Sequence, residues 1–287
     1  MTKTNASTPR ETLVAHTGQQ LSLSPTAVMG IVNVTPDSFS DGGRYTTPDR
    51  VSERVGVLRD EGAALIDIGG ESTRPGATPV STDEELSRVM PVIERVRADY
   101  PAMFLSLDTS NPEVMAAGLA AGVAMINDVR GLEAPGALET VAGYNALVCV
   151  MHHKGEPPTM QAAPAYDDIV SDVADYLAER VRICGSYGIA AERIVIDPGF
   201  GFGKSLAHNV ALLRGLERLR VDDCPMLVGV SRKSMFAKLY ERDTPEARLN
   251  GSLAAAFWAA SHGVGMIRAH DVQATVDMVR LAHALVQ

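Results

Sequence analysis

Ile194-Val195-Ile196-Asp197-Pro198-Gly199-Phe200-Gly201-Phe202-Gly203-Lys204 is the stretch that decides the fold. Three β-branched residues stand in a row, without the polar alternation of a half-exposed strand. An acid and a Pro-Gly break follow at once. A short apolar run of this kind belongs to a strand covered on both faces, as in a parallel sheet packed by helices. The same grammar recurs at Val28–Val34, Ala64–Ile68, Met103–Leu107, Val123–Ile126, Ala146–Met151, Met226–Val230 and Gly265–Arg268, which makes eight runs in all.

Between these runs lie stretches with helical spacing: Pro48–Glu61, Asp83–Asp99, Pro112–Ala121, a segment near Ala134–Ala142, Asp168–Tyr187, Leu206–Leu219, Pro245–Ser261 and Val272–Val286. Thr47-Pro48 and Asn111-Pro112 each set a capping residue before a proline at the first helical position. Thr82 followed by Asp83, Glu84 and Glu85 is a cap with acids in the first turn, where the helix dipole favours them. Eight strands alternating with eight helices predict a (β/α)8 barrel. The competing architecture, a doubly wound open sheet, would carry a Gly-rich turn after its first strand. Here that strand ends in Asn33-Val34-Thr35-Pro36. No linker marks a second domain. Residues 1–25 are read as a polar extension that adds a short strand or hairpin over the barrel bottom, and residues 26–287 as the barrel.

The bulk properties exclude several functions. Of 287 residues, 46% are hydrophobic and 21% charged, the balance of a folded globular chain. A net charge of −9 disfavours a general grip on nucleic acid or an anionic membrane, and 5% aromatics disfavour a base-stacking surface. The apolar runs Val114–Ile126 and Leu253–Ile267 do not read as bilayer spans, the first being short and the second interrupted by His262. No secretory signal is visible at the start. Cys149, Cys184 and Cys224 show no CxxC spacing, so a reducing cytoplasm fits.

In a (β/α)8 barrel the C-terminal strand ends form the active-site face. Read in order, those ends carry Asn33; Asp67 and Gly69-Gly70-Glu71-Ser72-Thr73-Arg74-Pro75-Gly76; Asp108-Thr109; Asn127-Asp128; Met151-His152-His153; Asp197; Ser231-Arg232-Lys233-Ser234; and Arg268-Ala269-His270-Asp271. Polar termini on all eight strands point to one site built by the whole ring. Asp108, Asn127 and Asp197 facing one interior need hydrogen-bond donors, because buried acids without them are costly. A flat heterocycle with amino and ring N–H groups supplies such donors. Arg232, Lys233, Arg268 and His270 form a positive cluster that suits an anionic leaving group.

Each piece also has a plainer reading. Asp197-Pro198-Gly199 is also a strand-ending turn. Asp67 either supports the second loop by hydrogen bonds or touches a ligand directly. Met151 is either core or contact. His152 and His153 point to opposite sides of a strand end, which argues against one shared metal ion. Arg242, Asp243 and Glu246 read as a solvated face. Gly203-Lys204-Ser205 looks like the end of a P-loop, but the required glycine is replaced by Pro198. Gly199-Phe200-Gly201-Phe202-Gly203 is GxGxG, not the dinucleotide GxGxxG. That loop is read as letting backbone approach a ligand closely, with Phe202 free to stack on a flat ring.

At this point longer strings become recognisable. Met29 through Gly43 (MGIVNVTPDSFSDGG), Asp67 through Gly76 (DIGGESTRPG), Ser106-Leu107-Asp108-Thr109, Ile126-Asn127-Asp128-Val129, Met151-His152, Asp197 through Lys204, Ser231-Arg232-Lys233-Ser234 and Arg268 through Val272 occur in one order. In this the chain resembles the bacterial dihydropteroate synthase family of the folate pathway. The resemblance implies condensation of 6-hydroxymethyl-7,8-dihydropterin diphosphate with 4-aminobenzoate, giving 7,8-dihydropteroate and diphosphate. It implies that Asp108, Asn127, Asp197 and Lys233 hold the pterin by its edges, with Met151, Phe202 and Arg268 on its faces. Asn33, Arg268 and His270 would hold the diphosphate, with Asn33 contacting Mg²⁺ as the metal cofactor. Phe39, Asp41, Thr73, Arg74, Pro75 and Ser234 would enclose the 4-aminobenzoate. Asp108, Lys233, Asp41 and Arg74 would stand at the chemistry. It further implies a sulfonamide target and a homodimer through the last helices, with which the small-residue run Gly251–Ala260 is compatible. The competing members of the wider family are a non-catalytic pterin-binding paralogue, which would lose the diphosphate and loop residues, and a corrinoid-type methyltransferase domain, which would lack the Ser-Phe-Ser-Asp-Gly-Gly and Glu-Ser-Thr-Arg-Pro-Gly loops.

Overall fold

The structure, a computed structural model, describes residues 10–35, 47–72, 80–155 and 164–286. A small antiparallel hairpin comes first, Thr12–Val14 (β1) with Gln20–Ser22 (β2). Eight parallel strands follow: Ala27–Asn33 (β3), Leu65–Gly69 (β4), Phe104–Asp108 (β5), Met125–Asp128 (β6), Leu147–Met151 (β7), Ile194–Asp197 (β8), Leu227–Val228 (β9) and Met266–Ala269 (β10). They lie in the order β8-β7-β6-β5-β4-β3-β10-β9. A parallel bridge between Ile196 and Met226 joins the two ends, where the Ile196 N–H donates to the Pro225 carbonyl at 3.0 Å. The sheet is therefore a closed ring, the (β/α)8 barrel.

Helices α1 (Pro48–Asp60), α2 (Thr82–Asp99), α3 (Pro112–Ala120), α4 (Ala137–Tyr144), α5 (Ile169–Ser186), α6 (Leu206–Arg214), α7 (Ser234–Tyr240), α8 (Pro245–Ser261) and α9 (Val272–Val286) surround it. Thr47 and Asn111 cap α1 and α3 as expected, each accepting a first-turn N–H ahead of a proline. The cap of α2 is Ser81 rather than Thr82, and the acids Asp83, Glu84 and Glu85 do fill its first turn. The stretch read as one helix over Leu206–Leu219 breaks at Gly215 into α6 and a 3-10 turn. A Cβ at Gly215 would stand 3.0 Å from both Val170 methyl groups, so the break lets α5 come close. Among the described residues α7 is a helix that periodicity did not predict; its seven residues sit directly against Arg232-Lys233, which read as a site motif.

Strand alternation sorts the core into two shells. Val28, Val32, Ile66, Ile68, Leu105, Leu107, Ile126, Val148, Val150, Ile194, Ile196, Val228 and Ile267 pack outward against the helices. The opposite face points inward. Its lower residues Met29, Leu65, Phe104, Met125, Leu147, Val195, Leu227 and Met266 form one cluster with Leu13, Leu21 and Leu23 of the hairpin segment. The hairpin thus plugs the barrel floor, and any ligand must enter from the other end. The small residues of α8 are used within the chain: Ala255, Ala256 and Ala259 are buried, and a Cβ at Gly251 would clash with the Phe236 ring. No helix among the described residues is long and apolar enough to cross a membrane. All three cysteines are free and buried.

Candidate active site

One step above the apolar floor, the same inward faces turn polar. Asn33 pairs in register with Gly69, Gly69 with Asp108, Asp108 with Asn127, and Asn127 with Cys149, so five neighbouring strands bring these residues to one level. Asp197 ends β8 beside Met151. Arg268 lies inward on β10, level with Met29.

These residues form one buried network. The Arg268 Nε donates to Asp67 Oδ2 at 2.7 Å, and its Nη2 donates to Asp108 Oδ2 at 2.9 Å. Asn127 Nδ2 donates to the same Asp67 oxygen at 3.0 Å. Asp67 is wholly buried. Its place beside the two readings that the sequence offered is plain: it braces Arg268 and Asn127 from behind. With its amide nitrogen committed, Asn127 is left to present its carbonyl oxygen as an acceptor. Asp67 Oδ1 and Ser106 Oγ, both buried in this layer, have no protein partner.

Burial in the layer shifts its titrating groups. It pushes the Asp108 carboxyl up to about 7, opposed by Arg268 and reinforced by Asp67. It pushes Asp197 up to about 6, against the pull of the Gly199 N–H and of Lys233 and Lys204. Burial draws the Lys233 ammonium down to about 8, with Arg268 acting in the same direction and Asp197 and Asp108 against it. Burial also works against the charge of Arg268, but Asp67 and Asp108 raise its pKa on balance. Two carboxyls raised toward neutrality and a lysine drawn down are groups whose charge burial disfavours despite the partners they have. A planar molecule with both donors and acceptors on its edge would supply further ones.

The walls suit such a ring. Lys233 Nζ stands 4.2 Å from the centre of the Phe202 ring. Met151 is buried at the end of β7. A Cβ at Gly229 would come within 4.0 Å of Asp197 Oδ2 and 3.9 Å of Arg268 Cβ, so glycine there keeps the slot between them open. The Gly-rich loop after β8 lies directly on backbone, because a Cβ at Gly199 would run into the His152 carbonyl oxygen.

The predicted residues gather with two qualifications. Asp108, Asn127 and Arg268 meet in the Asp67 network, Asp197 lies level with Met151, and Lys233 stands over the Phe202 ring within electrostatic reach of Asp108, Asp197 and Arg268. His270 joins them at the rim, where its Nδ1 lies 3.0 Å from Ser231 Oγ and its backbone N–H donates to the same hydroxyl at 3.1 Å. Ser234 opens α7 and is exposed. Arg232 departs from the expected cation cluster: its Nε donates to Asp271 Oδ2 at 2.9 Å, and this exposed pair neutralises it. Phe39, Asp41, Thr73, Arg74 and Pro75 lie outside the described residues. His152 and His153 do not converge. His152 is buried 2.8 Å from Lys204 Nζ, while His153 faces Glu133 at 3.5 Å. Among the described residues no three His, Cys, Asp or Glu groups are arranged to hold a metal. Asn33 does offer a hard amide oxygen at the rim. That matches the Mg²⁺ mode in which one protein oxygen joins substrate phosphate oxygens.

What the sequence left unread is the role of Lys204 and the partners of Asp67. An acid inside an otherwise apolar strand, and a lysine closing a Gly-rich loop that is not a P-loop, were the available signals.

Residues 29–270 match the family model described as pterin binding enzyme. The dihydropteroate synthase of Escherichia coli K12 is 48% identical, covering 93% of this chain and 94% of its own length. Among solved structures, Yersinia pestis dihydropteroate synthase in a sulfonamide complex superposes with a TM-score of 0.90 at 46% identity, covering 96% of this chain and 98% of that one. The Xanthomonas albilineans enzyme in complex with 7,8-dihydropteroate gives a TM-score of 0.85 at 48% identity, covering 93% and 96%.

Proposed function

This chain belongs to the pterin-binding enzymes, as a dihydropteroate synthase, and we propose that its polar layer reads the pterin and releases diphosphate before the new C–N bond forms. The reaction is a transfer. The dihydropterin methylene passes from diphosphate to the amine of 4-aminobenzoate, giving 7,8-dihydropteroate and diphosphate. The observation that carries the residue assignment is the pair Asp108 and Asn127 braced by Asp67 and Arg268, with Asp197 beside them accepting from the Gly199 N–H.

In this reading Asp108 and Asp197 accept the pterin's amino and ring N–H donors. Asn127 accepts through its free carbonyl oxygen, and Lys233 donates to a ring acceptor. Met151 and Phe202 cover the ring faces. Arg268, held at Nε by Asp67, extends its guanidinium toward the diphosphate together with His270 and Asn33. As the methylene C–O bond breaks, its electron pair leaves with diphosphate. The positive charge that grows on the electron-rich pterin is favoured by the carboxylates beneath it. The amine nitrogen then donates its lone pair to the methylene carbon and loses a proton. Asp41, Arg74, Phe39, Thr73 and Pro75, with Ser234 at the start of α7, are assigned to holding the arylamine in line. Mg²⁺, held by Asn33 and the substrate's own oxygens, would supply charge neutralisation for the leaving diphosphate. A homodimer, a cytoplasmic location and the absence of nucleic-acid or membrane partners complete the proposal. Sulfonamides, which share the arylamine shape, are expected to compete with 4-aminobenzoate.

The test is a condensation assay with dihydropterin diphosphate, 4-aminobenzoate and Mg²⁺, following dihydropteroate and diphosphate together. Stoichiometric products are expected, with the rate reduced by about a hundredfold or more in Asp108→Asn, the scale of losing one preorganised charge. Tight pterin binding without either product would mark a non-catalytic paralogue. A pterin adduct trapped on a side chain would overturn the order of bond changes.

A further inference from the structure

Lys204 is absent from every role assigned above, yet it is one of the most buried charged side chains described, only 3% exposed. Its Nζ donates to the carbonyl oxygens of Gly199 at 2.9 Å, Phe202 at 3.0 Å and His152 at 3.3 Å, and lies 2.8 Å from His152 Nδ1. An ammonium has three donors. Here four acceptors from two separate segments converge on it.

Those segments are the two that carry the pterin faces. His152 directly follows Met151 at the end of β7. Gly199 and Phe202 belong to the loop after β8. The loop has no room to settle elsewhere, because a Cβ at Gly199 would strike the His152 carbonyl and one at Gly203 the Lys154 carbonyl. His152 is suited to accept from a cation. Burial and the nearby Lys204 charge hold its imidazole down at about 2, so the ring is neutral, and in the Nε2–H tautomer its Nδ1 lone pair faces the ammonium. Its ring is also fixed edge-on to Tyr176 at 4.9 Å. The contact continues to the pterin acid, since Gly199 gives its carbonyl to Lys204 and its N–H to Asp197 Oδ1 at 2.7 Å. A second fastening holds the outer side of the loop: Asn209 accepts from Gly201 N–H at 2.8 Å and donates to the Ser205 carbonyl at 2.7 Å.

We propose that Lys204 is a positioning residue for the pterin site, fastening the Phe202 loop to the Met151 strand end so that both ring faces and Asp197 keep one spacing. A residue that only filled space here would be apolar. Burial disfavours the ammonium and pulls it down to about 7, a penalty that methionine of similar length would not carry. Because Asn209 still holds the loop from outside, loss of the Lys204 amine loosens the pterin slot without releasing the loop.

The proposal rests on the pterin reading of the site, and the experiment separates the two. The affinity for 7,8-dihydropterin diphosphate and both Michaelis constants would be measured for the unaltered chain, Lys204→Met and Lys204→Gln, with thermal melts alongside. In Lys204→Met the pterin Kd and KM should rise about tenfold or more, within the ~100-fold that a misplacement near 1 Å can cost, while the 4-aminobenzoate KM stays unchanged. Lys204→Gln keeps an N–H donor and should recover part of the loss; it also serves if the methionine variant does not fold. If the unaltered chain fails to bind the dihydropterin diphosphate, the functional reading itself falls. If it binds and folded Lys204 variants keep the pterin KM within twofold, with only a lowered melting temperature, Lys204 is structural and the positioning role is wrong.

Discussion

The barrel interior holds two layers drawn from the same strands, and they follow opposite rules. The floor, with Leu65, Phe104, Met125, Leu147 and the hairpin leucines, is apolar and closed. One inward position further along, β4, β5 and β6 place Asp67, Ser106 and Asn127, and β8 and β10 place Asp197 and Arg268. The floor gains stability from each side chain buried. The upper layer gathers charges that burial disfavours and leaves buried polar atoms at Asp67 and Ser106 without protein partners. The difference teaches where the fold stores its function: the floor and outer shell stabilise the ring, and the upper layer uses part of that stability to keep recognition groups in place.

The largest effect should come from removing the cation that ties the upper layer together. Arg268→Met leaves Asp67 buried with only the Asn127 amide and Asp108 without its guanidinium. A loss of about 3–5 kcal/mol in denaturant unfolding is expected, as when one partner of a buried pair is removed. Condensation should fall with it. Adding Asp67→Asn should restore much of the stability but none of the activity. Recovery of both would mean that Arg268 only neutralises Asp67 and does not act on substrate.

Next in size is a cut in the floor. Leu65→Ala should cost about 3 kcal/mol through the cavity it leaves. The turnover of each folded molecule should stay unchanged, because the substrate never reaches this layer. A large fall in kcat with native-like folding would erase the distinction between the layers.

Much of this contrast was legible in the sequence, and what escaped has a common cause. The strands and their polar ends could be read because each is a local pattern, an apolar run followed by an acid, amide or cation and a breaker. The acids proposed to hold the pterin were named by family resemblance once those strings stood in order. Partnerships between distant strands could not. Arg232 looks like a free cation until the fold brings Asp271 to it from β10's end. Asp67 shows no partner in the sequence until β6 and β10 deliver Asn127 and Arg268. The reason for the glycine at 251 is invisible until α7 brings the Phe236 ring over it. The helix α7 itself was hidden because seven residues are too few to show a period beside a charged motif.

The smallest effect, and the one that isolates the upper layer, is the pH dependence of stability without substrate. In the folded chain burial holds the carboxyls of Asp108 and Asp197 at about 7 and about 6, against a usual 3.8. Between about pH 4 and 7 the folded chain therefore binds more protons at these sites than the unfolded chain, so stability falls as pH rises through that window. Lys204 and Lys233 act in the opposite sense. Folded, they release protons near about 7 and about 8, against a usual 10.5, so their penalty is present at low pH and is relieved as pH climbs above neutrality. The layer thus weighs most heavily on the fold near neutral pH, where the enzyme meets its substrates. The floor's Leu, Met, Val and Phe side chains contribute no slope at all. Burial holds the His152 imidazole down at about 2, which gives an opposite slope up to about pH 6.5. The acids are therefore read as a difference: from pH 5 to 7.5 the melting temperature of the unaltered chain should fall relative to that of Asp108→Asn/Asp197→Asn by about 2–4 °C, the equivalent of about 1 kcal/mol. Saturating dihydropterin diphosphate should reverse the decline, because its donors satisfy the ionised carboxylates. If the unaltered chain instead gains stability relative to the double variant as pH rises, Arg268 already keeps Asp108 charged without help, and the layer is complete before any ligand enters.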